Sequence, residues 1–132
     1  MTVWRAYAAV GAGSALGASL RYQVALTLMT SHHAFPWATL LVNVLGSWLI
    51  GAFAGFASRS ERGRVARWQP FLMAGLCGGF TTFSLFGLET WQLLSLGRPW
   101  LALGYVTLSL ALWLCGVWLG QRAGQHAATR WG

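Results

Sequence analysis

Hydrophobic and polar positions along this chain fall into long blocks. Four apolar blocks, each close to the roughly 20 residues that a membrane-crossing helix needs, are separated by the short connections TSHHAFP, SRSERGRVAR and LGRP. Short connections join antiparallel neighbours. The pattern therefore predicts an all-α membrane protein in which residues 1–132 form one four-helix transmembrane domain. The predicted helices lie at about residues 7–28, 37–56, 68–96 and 100–119.

The first block resembles a signal peptide only superficially. It is long, carries Arg21 near its far end, and has no small-residue cleavage site before a polar region. We therefore expect it to be retained as a helix.

Composition supports a membrane location. The chain is 56% hydrophobic and only 8% charged, with a formal net charge of +7 that comes entirely from arginine. Most arginines lie between the apolar blocks, which favours contact with anionic membrane lipid over binding to nucleic acid. Their distribution places both termini in the cytoplasm. On the cytoplasmic side we count Arg5, Arg59, Arg62, Arg64, Arg67, Arg122 and Arg130, against Arg98 alone on the other side, with Arg21 near it.

Glycine pairs recur at the four-residue spacing that lets membrane helices approach closely. These pairs serve either packing within one subunit or assembly of an oligomer, and their spacing leaves both possibilities open. The pairs are Gly13 with Gly17, Gly51 with Gly55, and Gly116 with Gly120.

The second block carries a polar face. Thr39, Asn43 and Ser47 recur every four residues and so lie on one side of a helix. Thr and Ser hydroxyls can bond back to their own helix, but an amide is harder to satisfy in this way. The Asn43 amide therefore either forms an interhelical hydrogen bond that holds the bundle together or has a functional role.

The fourth block begins a similar stripe. Tyr105 and Ser109 share a face, but the next turn brings Leu112 and Trp113, so the polar stripe is only partial.

Two charges within the blocks also need partners at depth. Arg21 can extend to the interface, and Glu89 can pair with polar groups or line a vestibule.

The sequence contains no recognisable catalytic motif. It contains no Ser, His and Asp set, no metal-ligand cluster and no phosphate loop. His32 and His33 are neighbours in a connection, where we expect a solvated pair and not a metal site. The chain is therefore predicted not to be an enzyme.

The third block contains the sharpest pattern. Gly78 and Gly79, followed by Thr81 and Thr82, predict a helix break near mid-membrane. Carbonyls freed at such a break can coordinate a cation, and the N–H groups that open the next half-helix present positive potential. The simpler alternative is a glycine kink that lets another helix pack closely.

Two phenylalanines follow the break. Phe83 and Phe86 are three residues apart and so share a face of the second half-helix. The positive edges of phenyl rings can attract a small anion weakly enough for it to leave again. The alternative is that both rings face lipid or the core.

Two motifs together resemble the Fluc (CrcB) family of small fluoride channels. They are GGFTTFSLFGLE at residues 78–89 and PWATLLVNVLGSWLIG at residues 36–51, and the four-block layout extends the resemblance over nearly the whole chain. The resemblance implies an antiparallel, dual-topology dimer in the bacterial inner membrane. It further implies two pores for passive fluoride export, which lowers fluoride toxicity, and a structural sodium ion at the dimer interface.

The resemblance also implies roles for individual residues. Phe83 and Phe86 would supply ring edges, Asn43 an amide donor, and Ser84 would line the pore. Sodium would bind main-chain oxygens of Gly78 and Thr81. The remaining fluoride-pore residues would be Thr39, Tyr105 and Ser109, with Arg21 at a vestibule. Two positions depart from the family pattern: Leu85 replaces a frequent hydroxyl, and Trp113 replaces a small polar residue.

The arginine bias complicates the expected assembly, because a homodimer of oppositely inserted copies should tolerate both orientations. We favour a homodimer over a heterodimer with a paralogue of opposite bias. Two other functional classes remain open. One is a small proton-coupled multidrug exporter that uses Glu89, and the other is a membrane scaffold without transport.

Overall fold

The structure is a computed structural model that describes residues 2–28, 34–60 and 63–131. His32, His33 and Arg62, the last of which was assigned to the cytoplasmic side from the sequence, lie outside these residues. Within them every regular element is helical and no strand is present. The elements are α1 (Val3–Thr27), α2 (Trp37–Arg59), α3 (Arg64–Arg67), a π-helix (Pro70–Cys77), α4 (Gly78–Phe80), α5 (Ser84–Ser95) and α6 (Pro99–Trp131).

The most extensive packing is between α2 and α6. A side chain at Gly51 would clash with the carbonyl oxygen of Val117, and one at Gly120 would clash with that of Trp48. Glycine at these positions lets the two backbones approach directly, which replaces the hydrophobic drive that is missing between helices in lipid. The glycine pairs of the second and fourth blocks thus serve packing within one subunit.

Helix α1 packs against the third block in the same manner. A Cβ atom at Gly17 would clash with the carbonyl oxygen of Leu76, and one at Gly79 with that of Ser14. Gly13 is similarly close to the carbonyl oxygen of Phe71. The close approach places α1 beside the end of α4, so this packing positions the residues around Gly79.

The third block is not one continuous α-helix. Its first part, Pro70–Cys77, has π-helical hydrogen bonding, and α4 ends at Phe80. Thr81 is extended, with φ −84° and ψ 160°, and α5 begins only at Ser84. The backbone groups between Phe80 and Ser84 must therefore find partners outside the regular helix.

Three segments of the described chain are long and apolar enough to cross a membrane: Trp37–Arg59, Pro70–Ser95 and Pro99–Trp131. Helix α1 has 25 residues, which is sufficient length. It is rich in alanine and glycine and carries Arg5 and Arg21, so it is less apolar than the others. The coarse prediction of an all-α membrane protein agrees with these findings.

Helix α6 continues to Trp131, beyond the end predicted near residue 119. Its polar continuation still presents small residues to α2, because Gly124 lies against the carbonyl oxygen of Ala52. At the other end of α6, a buried apolar cluster brings α2, α5 and α6 together. Its buried members are Leu40, Phe86, Leu93, Ala102 and Tyr105.

Candidate functional site

Asn43 on α2 binds the main chain at the helix break. Its Nδ2 donates to the carbonyl oxygen of Thr82 at 2.9 Å, and its Oδ1 accepts from the N–H of Thr82 at 2.8 Å. The side chain is only 5% exposed. The reciprocal pairing fixes the orientation of the amide and leaves one of its two N–H groups for another acceptor.

This contact changes the hydrogen bonding of the carbonyls before the break. In a continuous α-helix the N–H of Thr82 would bond to the carbonyl of Gly78, and that of Leu85 to the carbonyl of Thr81. Here the Thr82 N–H goes to Asn43, and the Leu85 N–H donates to Thr82 Oγ1 at 3.2 Å. Gly78 and Thr81 thus both lose their usual helical donor.

Arg21 also contacts the break. Its Nε donates to the carbonyl oxygen of Gly79 at 3.3 Å. A cation at the carbonyl end of a short helix is electrostatically favourable. Arg21 additionally lines a cavity of about 240 Å³ that is also lined by Thr39 and Leu85. Leu85 therefore gives an apolar wall to the same cavity that receives the arginine.

A second cavity, of about 230 Å³, lies on the other side of the break. Polar and aromatic residues from α2, the break and α6 surround it. The lining includes Asn43, Ser47, Gly78, Thr81, Thr82, Phe83 and Trp113. Of the predicted site residues, Asn43, Gly78, Thr81 and Phe83 line this cavity, whereas Arg21 and Thr39 line the first one.

The two predicted rings have different environments. Phe83 is 73% exposed, whereas Phe86 is 6% exposed. Their ring centroids are 5.5 Å apart with the planes tilted by 46°. Phe86 also contacts Tyr105 at 5.1 Å and Trp113 at 4.8 Å. Ser84 is exposed beside Phe83, and its hydroxyl lies 3.4 Å from that of Thr82.

Glu89 is held by two hydroxyl donors. Thr39 Oγ1 donates to one carboxylate oxygen at 2.7 Å, and the Tyr105 hydroxyl donates to the other at 2.7 Å. Thr39 is 3% exposed and Tyr105 is fully buried. The contact links α2, α5 and α6 through one carboxylate, which gives Glu89 its partners without an arginine.

Ser109 and Trp113 continue the face of α6 that begins at Tyr105. Among the described residues, Ser109 Oγ and Trp113 Nε1 are the buried side-chain polar atoms without a hydrogen-bond partner. Ser109 is fully buried. Such groups are uncommon in native structures because leaving them unpaired costs about 1–3 kcal/mol each.

Sequence reasoning located most of these side chains but not all of their contacts. It identified Glu89 as a charge that needs a partner without finding Thr39 and Tyr105 as its donors. It also treated Trp113 as the end of the polar stripe, although its indole N–H is a buried donor. A stricter count of donors along the face of Tyr105 would have included the indole.

One known protein family matches most of this chain. Residues 8–121 match the family described as "CrcB-like protein, Camphor Resistance (CrcB)". The chain belongs to this family. Two curated CrcB relatives illustrate the similarity. The "Fluoride-specific ion channel FluC" of Paramagnetospirillum magneticum is 49% identical over 120 residues, which cover 89% of this chain and 93% of the relative. "Fluoride-specific ion channel FluC 1" of Bradyrhizobium diazoefficiens is 46% identical over 122 residues, which cover 89% and 84%.

CrcB membership agrees with the resemblance found in the sequence. The curated relatives are named as ion channels, so the family is one of channels and not of enzymes. Together with its apolar helices, this membership makes the chain a multi-pass protein of the bacterial inner membrane.

Proposed function

We propose that this chain is a fluoride channel that passively exports cytoplasmic fluoride and so reduces its toxicity. The observation that carries the proposal is the clamp between Asn43 and the main chain of Thr82, beside the exposed ring of Phe83. An amide N–H and aromatic edges are weak, uncharged attractors for a small anion. The names of the curated relatives point to the same ion.

The route follows the polar face of the subunit. Arg21 attracts the anion at a vestibule, and the conducting surface then passes the rings of Phe83 and Phe86. Uncharged donors and ring edges along it hold a fluoride ion loosely enough for release. The side chains assigned to the route are Thr39, Asn43, Ser84, Tyr105 and Ser109. The hydroxyls of Thr39 and Tyr105 already donate to Glu89, so Asn43, Ser84 and Ser109 are the donors that remain for the ion.

The proposed membrane arrangement has four transmembrane helices, with α1 as the fourth span. Thr82 lies close to the midpoint of Pro70–Ser95, which supports a break near mid-membrane. Irregular backbone at that depth is tolerated where it is buried in protein or lines a cavity. The cavity beside Asn43 and Thr82 meets this condition.

We further propose an antiparallel dimer whose pores lie at the subunit interface. The exposure of Phe83 and Ser84 supports this arrangement, because a second copy would convert their open surface into an enclosed route. The break itself also lies next to this exposed surface. One homodimer of oppositely inserted copies is favoured over a heterodimer with a paralogue.

A structural sodium ion is proposed at the same interface. The main-chain oxygens of Gly78 and Thr81 fit a hard cation, because both have lost their usual helical donors. No cluster of three or more His, Cys, Asp or Glu side chains occurs in the described part of the chain. The ion would therefore depend on main-chain oxygens, and two copies would supply twice as many.

Membrane lipid is the remaining partner. Arg5 and Arg67 line one cavity together with Trp68 at the side assigned to the cytoplasm. Guanidinium groups and an indole at that depth suit anionic headgroups. The same arginines place both termini in the cytoplasm for a copy inserted in the favoured orientation.

Fluoride efflux from liposomes, followed with a fluoride electrode, tests the proposed function. We expect rapid passive efflux of fluoride, little efflux of chloride, and loss of fluoride flux in Phe83→Ala and Asn43→Ala. Trp100→Phe is a suitable control, because Trp100 is 82% exposed at the start of α6. An intact oligomer that conducts neither ion would support the scaffold and reject the channel.

The proton-coupled exporter makes a different prediction. It requires efflux of a lipophilic cation that depends on a proton gradient and is abolished by Glu89→Gln. Glu89 is instead engaged by Thr39 and Tyr105, which favours a structural use of the carboxylate. Cation efflux driven by protons would overturn this assignment.

Crosslinking of the protein expressed alone tests the assembly. A cysteine introduced near the break should join two copies in an antiparallel orientation if the homodimer forms. Absence of both the antiparallel dimer and flux would favour the heterodimer.

A further inference from the structure

Three side chains of α6, two of them fully buried and the third partly buried, form a continuous row of donors. Tyr105, Ser109 and Trp113 are spaced four residues apart, so they lie on one face and rise by about 6 Å per step. Phe86 contacts the rings of Tyr105 and Trp113, and Ser109 lies between these two residues in the row. All three therefore face the same side as a ring assigned to the fluoride route.

The three donors differ in their partners. The Tyr105 hydroxyl donates to Glu89, whereas Ser109 Oγ and Trp113 Nε1 are buried without a partner. A serine in a helix can bond back to the carbonyl one turn earlier, but Ser109 does not do so here. The row thus contains two adjacent buried donors that have no hydrogen-bond partner.

The indole N–H is chemically distinct from a hydroxyl. It donates but cannot accept a hydrogen bond, so its natural partner is an electron-rich atom or an anion. Trp113 also lines the cavity that contains Asn43 and Phe83, and so it joins that cavity to the row.

We propose that the Ser109 hydroxyl and the Trp113 indole N–H donate to one fluoride ion and form a binding position of their own. The inference rests on the proposed function and extends it, because it makes Trp113 a continuation of the route. Cβ atoms one helical turn apart are about 5–6 Å from each other, a separation that two donors can bridge through a small anion. Neither polar atom is exposed to solvent.

A competing account assigns the indole N–H to the face of the Phe86 ring. The two rings are 4.8 Å apart at an interplanar angle of 68°, an arrangement in which an N–H···π contact is geometrically reasonable. The two accounts can be distinguished by one substitution that removes the N–H but keeps a ring and another that removes the ring but keeps a donor.

Fluoride efflux from liposomes is measured for Trp113→Phe, which keeps a ring but removes the N–H, and Trp113→Thr, which removes the ring but keeps a donor. We expect Trp113→Phe to lower the flux by about tenfold to a hundredfold, the range for a hydrogen bond to a charged group. Trp113→Thr should remain within about threefold of the wild type, a shift well below the tenfold that one such bond carries. Trp100→Phe controls for the loss of a tryptophan.

Equal flux in Trp113→Phe and the wild type would overturn the inference while leaving the channel intact. If both variants are folded and Trp113→Thr is as inactive as Trp113→Phe, the effect belongs to the ring volume. That result would also overturn the inference. A wild type without fluoride flux would instead reject the proposed function.

A measurement on the unaltered protein avoids dependence on the folding of variants. The indole ¹⁵N–¹H resonance of Trp113 is assigned by its loss in Trp113→Phe, and sodium fluoride or sodium chloride is then added to the detergent-solubilised protein. We expect a saturable shift with fluoride alone, and a weaker response in Ser109→Ala. An unshifted resonance would support the N–H···π contact and reject the binding position.

Discussion

Asn43 and Thr82 are joined by two hydrogen bonds, one in each direction, between the amide of a buried side chain and the backbone N–H and carbonyl of a single residue. The pair connects α2 with the segment between Phe80 and Ser84, where the third block leaves the helical conformation at Thr81. It satisfies backbone groups that the interrupted helix leaves free. Asn43 therefore holds the shape of the break, whatever else its remaining N–H contacts.

Asn43→Ala should destabilise the protein and abolish fluoride flux. The substitution leaves a part-buried N–H and a part-buried carbonyl of Thr82 without their partners, at a cost of up to about 1–3 kcal/mol each. The free energy of unfolding in mixed detergent micelles and the liposome efflux rate measure the two effects. Ser47→Ala, one turn along the same helix, is the control. Unchanged stability in Asn43→Ala would show that the pair does not hold the break.

The Glu89 carboxylate should be coupled energetically to Tyr105. Their 2.7 Å hydrogen bond is buried, and removal of either partner leaves the other without it. A double-mutant cycle of Glu89→Leu and Tyr105→Phe should give an interaction energy of about 1–3 kcal/mol in unfolding free energy. Additive effects of the two substitutions would mean that the hydrogen bond contributes nothing to the fold.

The sequence predicts a break in the third block because the cause is local. Adjacent glycines followed by hydroxyl residues weaken a helix in any environment, and the structure has extended backbone at Thr81. The partners of the break depend on tertiary packing and were not predictable in the same way. Nothing in the spacing of Thr39 and Tyr105 indicates that both reach Glu89.

The ends of the helices were likewise predictable only in part. Apolar runs predicted four membrane segments, and three segments of the described chain are apolar and long enough to be such spans. The polar end of α6 is held by small residues against α2 and was missed by hydropathy. The π-helix at Pro70–Cys77 likewise has no sequence signature beyond its first proline. Hydrophobicity thus indicates where a helix enters the membrane better than where its hydrogen bonding changes.

The contact between α2 and α6 should be sensitive to a single methyl group. Gly120→Ala places a Cβ atom against the carbonyl oxygen of Trp48, so the backbones must separate at a cost of about 1–3 kcal/mol. Gly104→Ala is the matched control on the same helix, because a Cβ atom there has open space. The control should be neutral or stabilising by up to about 1 kcal/mol. Thermal unfolding in detergent compares them, and equal melting temperatures would contradict the close packing.

Replacing sodium by N-methylglucamine should lower the thermal stability of the wild-type protein. The oxygens of Gly78 and Thr81 have lost their helical donors, so a bound cation would compensate them, and an ion that binds only the folded state stabilises that state. Melting temperatures are measured across a sodium titration at constant ionic strength. Asn43→Ala should show a weakened response, because the two hydrogen bonds that hold Thr82 beside these carbonyls are lost. Phe83→Ala should keep the full response, since it removes no hydrogen bond of these carbonyls. A wild-type melting temperature that is the same in both cations would reject the sodium site.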